Sequence, residues 1–408
     1  MSDVISIPIG EHIDIVKGKK PKQLFDLPID EFTKPYVLAE AFDSKEYSNF
    51  TDDTSCKICE EEDVLLLWDG SRAGRVAIGL SGYIGSTIAA LKLKNKNFIN
   101  PLFLYYNLKF KNDYIAKNTA GTGIPHVQKD IIQNLNILLF PIKQQEKIAS
   151  ILSSVDEAIE KTEAIFEKTE EAKKGLMQQL LTKGIGHTKF KKTDIGEIPE
   201  VWDVKQLGEI TEIKGRIGWK GYTKEDLRQS GPLVLGATQI NSRYKLDLKN
   251  PVYLSQEKYE ESPEIMVSMG DIILVQRGST IGKVALIDKQ LGEATINPSM
   301  VLLKNIKINS VFLNLFLSSQ FVQKRLAANI SQTSIPMISQ KQISGISIGI
   351  PSYDEQCKIA EIIQSIEGKI SAEERELSKL RTLKKGLMQI LLTGKVRVKS
   401  KEAEVTQE

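Results

Sequence analysis

The sequence predicts an α+β protein. It is read as two related domains with mainly antiparallel sheets, joined by two long helices that form an antiparallel coiled coil. Three observations predict this. A repeat relates the two halves at a spacing of 211 residues. Two stretches carry apolar residues at heptad spacing with no proline inside them. Ahead of each stretch, a short apolar run ends in a Gly-Ser turn, the pattern of strands and tight hairpins.

Residues 173–182 read KKGLMQQLLT and residues 384–393 read KKGLMQILLT, identical at nine of ten positions. The same spacing relates Gln145-Glu-Lys-Ile-Ala149 to Gln356-Cys-Lys-Ile-Ala360, and Thr122-Gly-Ile-Pro125 to Thr333-Ser-Ile-Pro336. Upstream the spacing drifts. Gly70-Ser-Arg-Ala-Gly-Arg-Val-Ala77 matches Gly278-Ser-Thr-Ile-Gly-Lys-Val-Ala285 at 208, while Gly18 falls on Gly215 and Val37-Leu38 on Val234-Leu235 at 197. The loops thus differ in length between copies, and the helices do not.

In chain order, the first domain is expected at 1–141, with Ile13-Asp-Ile-Val16 as its first recognisable strand. Asp63-Val-Leu-Leu-Leu-Trp68 reads as a buried strand, Pro101 to Leu108 has helical spacing, and Leu135-Asn-Ile137 alternates. The central helix is expected at 142–183, its seam built from Ile148, Leu152, Val155, Ile159, Phe166 and Leu176, with Ile165 beside Phe166. The second domain follows at 184–351, with the strand Asp271-Ile-Ile-Leu-Val275 and helical spacing from Phe312 to Leu326. The distal helix is expected at 352–394. Pro351 stops the preceding strand, and Ser352 with Glu355 has capping-box spacing. Its seam takes Ile359, Ile363, Ile366, Ile370, Leu377 and Leu387, with Ile362 and Leu383 alongside and Glu373 as the one polar intrusion. Two helices of roughly 40 residues, about 60 Å each, can bury their apolar stripes on one another. A basic tail, 395–408, ends the chain.

Composition narrows the function classes. A chain of 408 residues has room for two or three domains. Its 41% hydrophobic and 26% charged residues are ordinary for a folded chain, so the net charge of +3 says little by itself. Three cysteines, Cys56, Cys59 and Cys357, are too few and too odd in number for a disulfide framework, so a cytoplasmic location is expected. No apolar run approaches the roughly 18–20 residues that span a bilayer, so no membrane is expected as a partner.

Enzymatic signatures are missing. Gly278-Ser-Thr-Ile-Gly282-Lys283 has three residues between its glycines and Val284 after the lysine, whereas a Walker loop needs four and Ser or Thr. His12, His126 and His187 are widely separated, and Cys56-Lys-Ile-Cys59 is a lone pair, so no metal site or catalytic triad is expected. No Asn-Pro-Pro-Tyr/Phe motif is found.

What the loops do carry is cations for phosphates, with amides and guanidiniums for base edges. Lys17, Lys19, Lys20 and Lys22 follow the first strand, and Lys214, Arg216 and Lys220 stand in the corresponding place of the second half. Gln239, Asn241 and Arg243 form a polar loop. Arg72 and Arg75 on one Gly-Ser turn match Thr280 and Lys283 on the other. Asp69 stands where Arg277 stands, a change of charge suited to reading different sequences. Each residue alone also fits a solvated surface charge. The run Lys379, Arg381, Lys384, Lys385, Lys395, Arg397, Lys399 and Lys401 has no acid within it, and suits either a DNA backbone or an acidic partner. A duplicated protein-binding scaffold without DNA readout stays open beside a DNA reader.

These residues together carry a resemblance. Gly270-Asp-Ile-Ile-Leu-Val-Gln-Arg-Gly-Ser-Thr-Ile-Gly-Lys283, Ile335-Pro-Met, Pro351 with Glu355-Gln356, the Lys-Gly-Leu-Met-Gln segments and Ile198-Pro-Glu-Val-Trp202 resemble the specificity subunits of type I restriction-modification systems. The resemblance spans nearly the whole chain. It implies two target-recognition domains, each reading half of a bipartite site in double-stranded DNA, and a coiled coil acting as a ruler. It also implies two methyltransferase subunits holding S-adenosylmethionine, restriction subunits holding ATP and Mg2+, and no cofactor or catalysis in this chain. The first half departs from the pattern: it lacks an Ile-Pro-x-x-Trp segment, and its turn reads Asp-Gly-Ser.

Overall fold

A computed structural model describes residues 4–121, 123–217, 221–328 and 336–398. The chain divides into two compact units, one formed by 1–164 with 374–408 and the other by 165–373. These units cut across the linear segments 1–141, 142–183, 184–351 and 352–394. Each holds one globular part and portions of both long helices, the central helix Ile142–Lys183 and the distal helix Tyr353–Leu391.

In the first unit, β1 (Ile5–Pro8) comes before the expected first strand, β2 (Ile13–Lys17). The remaining strands are β3 (Lys34–Val37), β4 (Phe50–Thr51), β5 (Ile58–Cys59), β6 (Val64–Leu67), β7 (Val76–Ala77), β8 (Gly82–Ile84), β9 (Ile88–Leu93) and β10 (Asn136–Leu139). One sheet has the order β2-β9-β6-β7 and another β4-β3-β8-β5, while β1 pairs with β10. All of these pairs are antiparallel except β3 with β8.

The second unit repeats this plan. A hairpin of β11 (Phe190–Thr193) and β12 (Gly196–Pro199) precedes β13 (Asp203–Gln206), β14 (Glu212–Lys214), β15 (Leu227–Leu235) and β16 (Tyr253–Leu254). Then come β17 (Ile272–Val275), β18 (Val284–Leu286), β19 (Ala294–Ile296), β20 (Met300–Lys304) and β21 (Ser347–Ile350). The order β14-β20-β17-β18 matches the first sheet strand for strand. The parallel pair β15 with β19 matches β3 with β8, and β13 with β21 matches β1 with β10. The first half therefore does contain a strand equivalent to Asp203–Gln206, although no tryptophan announces it in the sequence.

The ladders correct one detail of the repeat. Ile15 faces Leu91 and Ile213 faces Leu303, and those partners in turn face Val64 and Ile272. Ile15 therefore corresponds to Ile213 at a spacing of 198, not 197. In a strand a one-residue slip exchanges the two faces, so this register decides which side chains are equivalent.

The two Gly-Ser turns follow β6 and β17. Gly70 and Gly278 have φ of 107° and 103°, a left-handed conformation that side chains disfavour, which is why glycine precedes the serine in both copies. Each turn is strapped by a distant segment. Gly70 N–H donates to the Pro125 carbonyl at 2.9 Å, and Gly278 N–H to the Pro336 carbonyl at 3.1 Å. Val127 N–H donates to Trp68 and Ile338 N–H to Gln276, at 2.8 and 2.9 Å. Two motifs far apart in sequence thus form one structure, twice.

The long helices pack antiparallel within each unit. In the first, Ile148 and Leu152 share a core with Met388, Leu391 and Leu392, so the start of the central helix meets the end of the distal one. Lys384 bridges to Asp156, and Arg381 to Glu163 at 2.6 Å. In the second, Leu180 and Leu181 share a core with Ile359 and Ile363, and Lys173 bridges to Glu367 at 2.7 Å. Lys173 and Lys384 are the same lysine of the repeated segment, 211 residues apart. Of the expected seam residues, Ile148, Leu152, Ile159, Ile359, Ile363, Ile370 and Leu377 are buried, and Val155, Phe166, Leu176, Ile366 and Leu387 are half-buried. Ile165, Ile362 and Leu383 are exposed, because a two-helix seam is too narrow to cover the second apolar position in each turn. Glu373 is half-buried and accepts from the Thr169 hydroxyl at 3.2 Å.

Gly175, Gly368 and Gly386 lie inside the long helices, where glycine costs about 1 kcal/mol relative to alanine. A Cβ at any of them would meet nothing within 4 Å.

The cysteines are free. Cys59 is fully buried, with its Sγ 3.4 Å from the Gly82 carbonyl oxygen, and burial pushes its thiol up to about 12. At pH 8 the native chain is expected to leave Cys59 unmodified by iodoacetamide, whereas urea-unfolded chain loses that protection. Intact-mass and peptide mapping check this; native labelling of Cys59 would contradict it.

Candidate nucleic-acid interface

The strap around each Gly-Ser turn sets out the candidate site. In the first unit, Lys17 at the end of β2 reaches Asp69 on the turn at 2.9 Å and lies over the Trp68 ring, 5.9 Å from its centroid. Arg72 and Arg75, further round the turn, converge on Asp43, Arg72 at 3.2 Å. The Arg75 hydrogen bond, ahead of the charges of both arginines, holds the Asp43 carboxyl below its ordinary value. It therefore stays ionised, and the trio carries one net positive charge. Lys19 donates to Ser55 at 2.7 Å, and the Lys22 backbone N–H donates to Asp53 at 3.0 Å. Lys20 is exposed.

In the second unit the corresponding turn is more basic. Arg277 is exposed and, among the described residues, has no carboxylate partner; its guanidinium touches Met337 Sδ at 3.3 Å. Asp69 and Arg277 occupy the same place, since each makes the β-bridge to the strap residue that follows its proline, His126 and Met337. Lys283 donates to the Ile240 carbonyl at 3.3 Å, which ties the turn to the loop 236–250. Lys214 pairs with Glu212 at 2.9 Å.

Four expected readers are placed otherwise. Gln239 is buried, accepting from Gly236 N–H at 2.9 Å and donating to the Asn250 carbonyl at 3.1 Å, so its amide edge is committed inside the protein. Asn241 uses its side-chain oxygen on the backbone N–H groups of Arg243 and Lys245, at 2.9 and 3.1 Å, and holds its own turn. Arg243 turns to the central helix, 3.7 Å from Glu170 and over the Phe166 ring. Arg216 points inward to Ser262, where burial lowers its pKa against the nearby charges of Glu261 and Glu264. Lys220 lies outside the described residues, as do Lys399 and Lys401 of the tail.

Sequence reasoning missed the parts that hold the site to the helices. Gln145 accepts from Asn100 N–H at 2.9 Å and donates to the carbonyls of Phe140 at 2.7 Å and Phe98 at 3.0 Å. Gln356 accepts from Asn309 N–H and donates to the Pro351 carbonyl, both at 2.9 Å. Both amides are buried, and both asparagines start a helix of their own globular part, Pro101–Phe110 and Ser310–Ser318. Further along, Tyr106 donates to Asp156 at 3.0 Å, and Lys245 pairs with Glu367 at 2.7 Å. The carboxylates that bridge the two helices thus also receive groups from the globular parts. The signal for the clip was present, since both glutamines belong to the 211-residue repeat.

Ser352 caps Glu355 N–H at 3.3 Å, but the Glu355 side chain does not return to complete a capping box. It accepts instead from Ile185 N–H at 2.9 Å and from the buried Trp202 indole at 3.2 Å, with His187 at 2.9 Å. The Ile198–Trp202 motif is thereby anchored on the start of the distal helix.

Comparison with known proteins agrees with this duplicated plan. The family model for the type I restriction modification DNA specificity domain matches residues 1–170 and again 199–382. The chain is 35% identical over 402 residues to the type I restriction enzyme MjaVIII specificity subunit of Methanocaldococcus jannaschii, covering 97% of this chain and 93% of that one. It is 31% identical over 316 residues to the putative type I restriction enzyme MjaX specificity subunit of the same organism, covering 75% and 70%. In fold it is similar to the crystal structure of a type I restriction-modification system S subunit from M. genitalium, with a TM-score of 0.61, 18% identity and 96% of each chain covered.

Proposed function

The chain belongs to the type I restriction-modification DNA specificity family, and on that premise we propose that its two units each read one half of a bipartite site in double-stranded DNA. The observation that carries this reading is the duplicated Gly-Ser turn, held by the same strap in both units and displaying different charge. The first turn offers a neutralised Lys17–Asp69 pair with Arg72 and Arg75 nearby, and the second an exposed Arg277 with Lys283 behind it. A guanidinium reads guanine through two acceptors in the major groove, while lysines hold phosphates. The helix pair serves as the spacer and as the seat for methyltransferase subunits, with restriction subunits joining them. In this reading S-adenosylmethionine belongs to the former and ATP with Mg2+ to the latter, and this chain performs no chemistry. A cytoplasmic place suits such an assembly; among the described residues no helix is long and apolar enough to cross a membrane.

Mapping methylated adenines in DNA modified by the reconstituted complex tests the reading. A split consensus is expected, and methylation without sequence preference would leave only a scaffold. Arg277→Ala is expected to relax selectivity at one base pair of one half-site by about 1–3 kcal/mol, with the other half-site untouched. Loss spread evenly over both halves would contradict the assignment.

A further inference from the structure

The two Gly-Ser turns differ most sharply at one position, and the difference extends to a second residue. Asp69 and Arg277 follow the matched strand residues Leu66 and Leu274 by the same interval, and each bridges its own strap. Because Ile15 corresponds to Ile213, Lys17 corresponds to Gly215. Lys17 reaches Asp69 at 2.9 Å. Gly215 has no side chain to reach Arg277, and a Cβ there would collide with the Gln340 amide. Lys214, one residue earlier, belongs to the opposite face of its strand and pairs with Glu212. The unit with an acid on its turn thus has a lysine to meet it. The unit with an arginine there has no such lysine and, among the described residues, no carboxylate against the guanidinium.

Stability does not call for this matching, since surface ion pairs contribute little. The pair is also partly enclosed. Only 26% of the Asp69 side chain is exposed, and Lys17 lies over the ring of the buried Trp68. Lys17 engages Oδ2 of the carboxylate. Among the described residues Oδ1 receives no hydrogen bond.

A bare carboxylate would be repelled by a phosphate backbone. Paired with Lys17 it is neutral overall and still accepts hydrogen bonds. In a major groove the available donors are exocyclic amines. Cytosine N4 stands clear of other acceptors, whereas adenine N6 lies beside N7. Guanine and thymine present only acceptors there, O6 and N7 or O4, which a carboxylate rejects.

We propose that Asp69 selects one base pair of the first half-site, taking cytosine through N4. Lys17 is its positioning residue: it holds one carboxylate oxygen and cancels the charge. The proposal rests on the reading that the Gly-Ser turns face DNA, and adds which base the acidic turn takes. The same place in the second unit carries a donor, Arg277, and so the opposite preference.

The test maps methylated adenines in DNA modified by the full chain with its methyltransferase subunits. Asparagine keeps the shape of Asp69. With Lys17 on its single oxygen, it presents an amide N–H where the carboxylate presented an acceptor. In Asp69→Asn the preference for cytosine at one position of the first half-site is expected to fall by about 5- to 150-fold and to pass to guanine or thymine. The second half-site stays unchanged and serves as the control for folding. Lys17→Met is expected to weaken DNA binding by about tenfold whatever the sequence, and adding Asp69→Asn to restore it. Lost packing on Trp68 would not be rescued in that way. If wild type gives a split consensus and Asp69→Asn leaves its first half unchanged, or that half contains no cytosine, the assignment is overturned while the DNA reading stands. Failure of the rescue overturns the role of Lys17. If wild type gives no split consensus, the DNA reading fails and the assignment with it.

Discussion

Replacing Gln356 by leucine is expected to destabilise the second unit by about 2–4 kcal/mol, because it removes the side-chain partner of one half-buried and one buried backbone group. The groups are the Asn309 N–H and the Pro351 carbonyl, both now 2.9 Å from the glutamine amide. Leucine fills nearly the same volume, so the loss reports the hydrogen bonds and not a cavity. For a unit of this size the thermal midpoint falls by roughly 5–15 °C. Gln145→Leu is expected to do the same to the first unit, where the amide makes three such bonds. Calorimetry of the two single variants checks both, and an unchanged midpoint would show that the clip is dispensable. The clip also ties the first turn of each long helix to the globular part beside it.

The second large effect concerns spacing. Adding one heptad to the central helix after Ile159, with a matching heptad opposite it in the distal helix, preserves the seam and extends the pair by about 10.5 Å. At about 3.4 Å per base pair that is roughly three base pairs. The expected product is a complex that methylates the same two half-sites with the gap lengthened by about that amount. The readout is the methylation map. An unchanged gap would show that the helices do not set the distance, and altered half-site sequences would show that they take part in reading. Insertions of three or four residues break the heptad and would locally overwind or unwind the pair instead of extending it in register.

Much of this architecture was legible in the sequence. The duplication, the helix limits near Ile142 and Lys183, and the heptad residues that became buried all follow from periodicities that neighbouring residues impose on one another. The order of the repeated motifs also pointed to the DNA specificity family to which the chain belongs.

The individual site residues were less legible. Gln239 and Arg277 look equally suited to touch a base when read as residue types. The first is buried on Gly236 and Asn250, and the second is exposed beside Met337. Arg243 is claimed by Glu170 and Phe166, more than 70 residues earlier in the chain. Glu355 has the spacing of a capping residue yet serves Trp202 and His187.

By itself, then, the sequence determined that there are two related units, that two long helices pair, and which apolar stripe they bury, because hydrophobic period is a local property. Only the tertiary structure decided which polar groups face outward. A donor's partner is whatever the fold brings within about 3 Å of it, and sequence distance carries no trace of that. It also decided the register of the repeat, since one residue of slip in a strand exchanges faces without changing the pattern. The straps hold the same turn in both units, and the fold leaves Arg277 exposed on one of them.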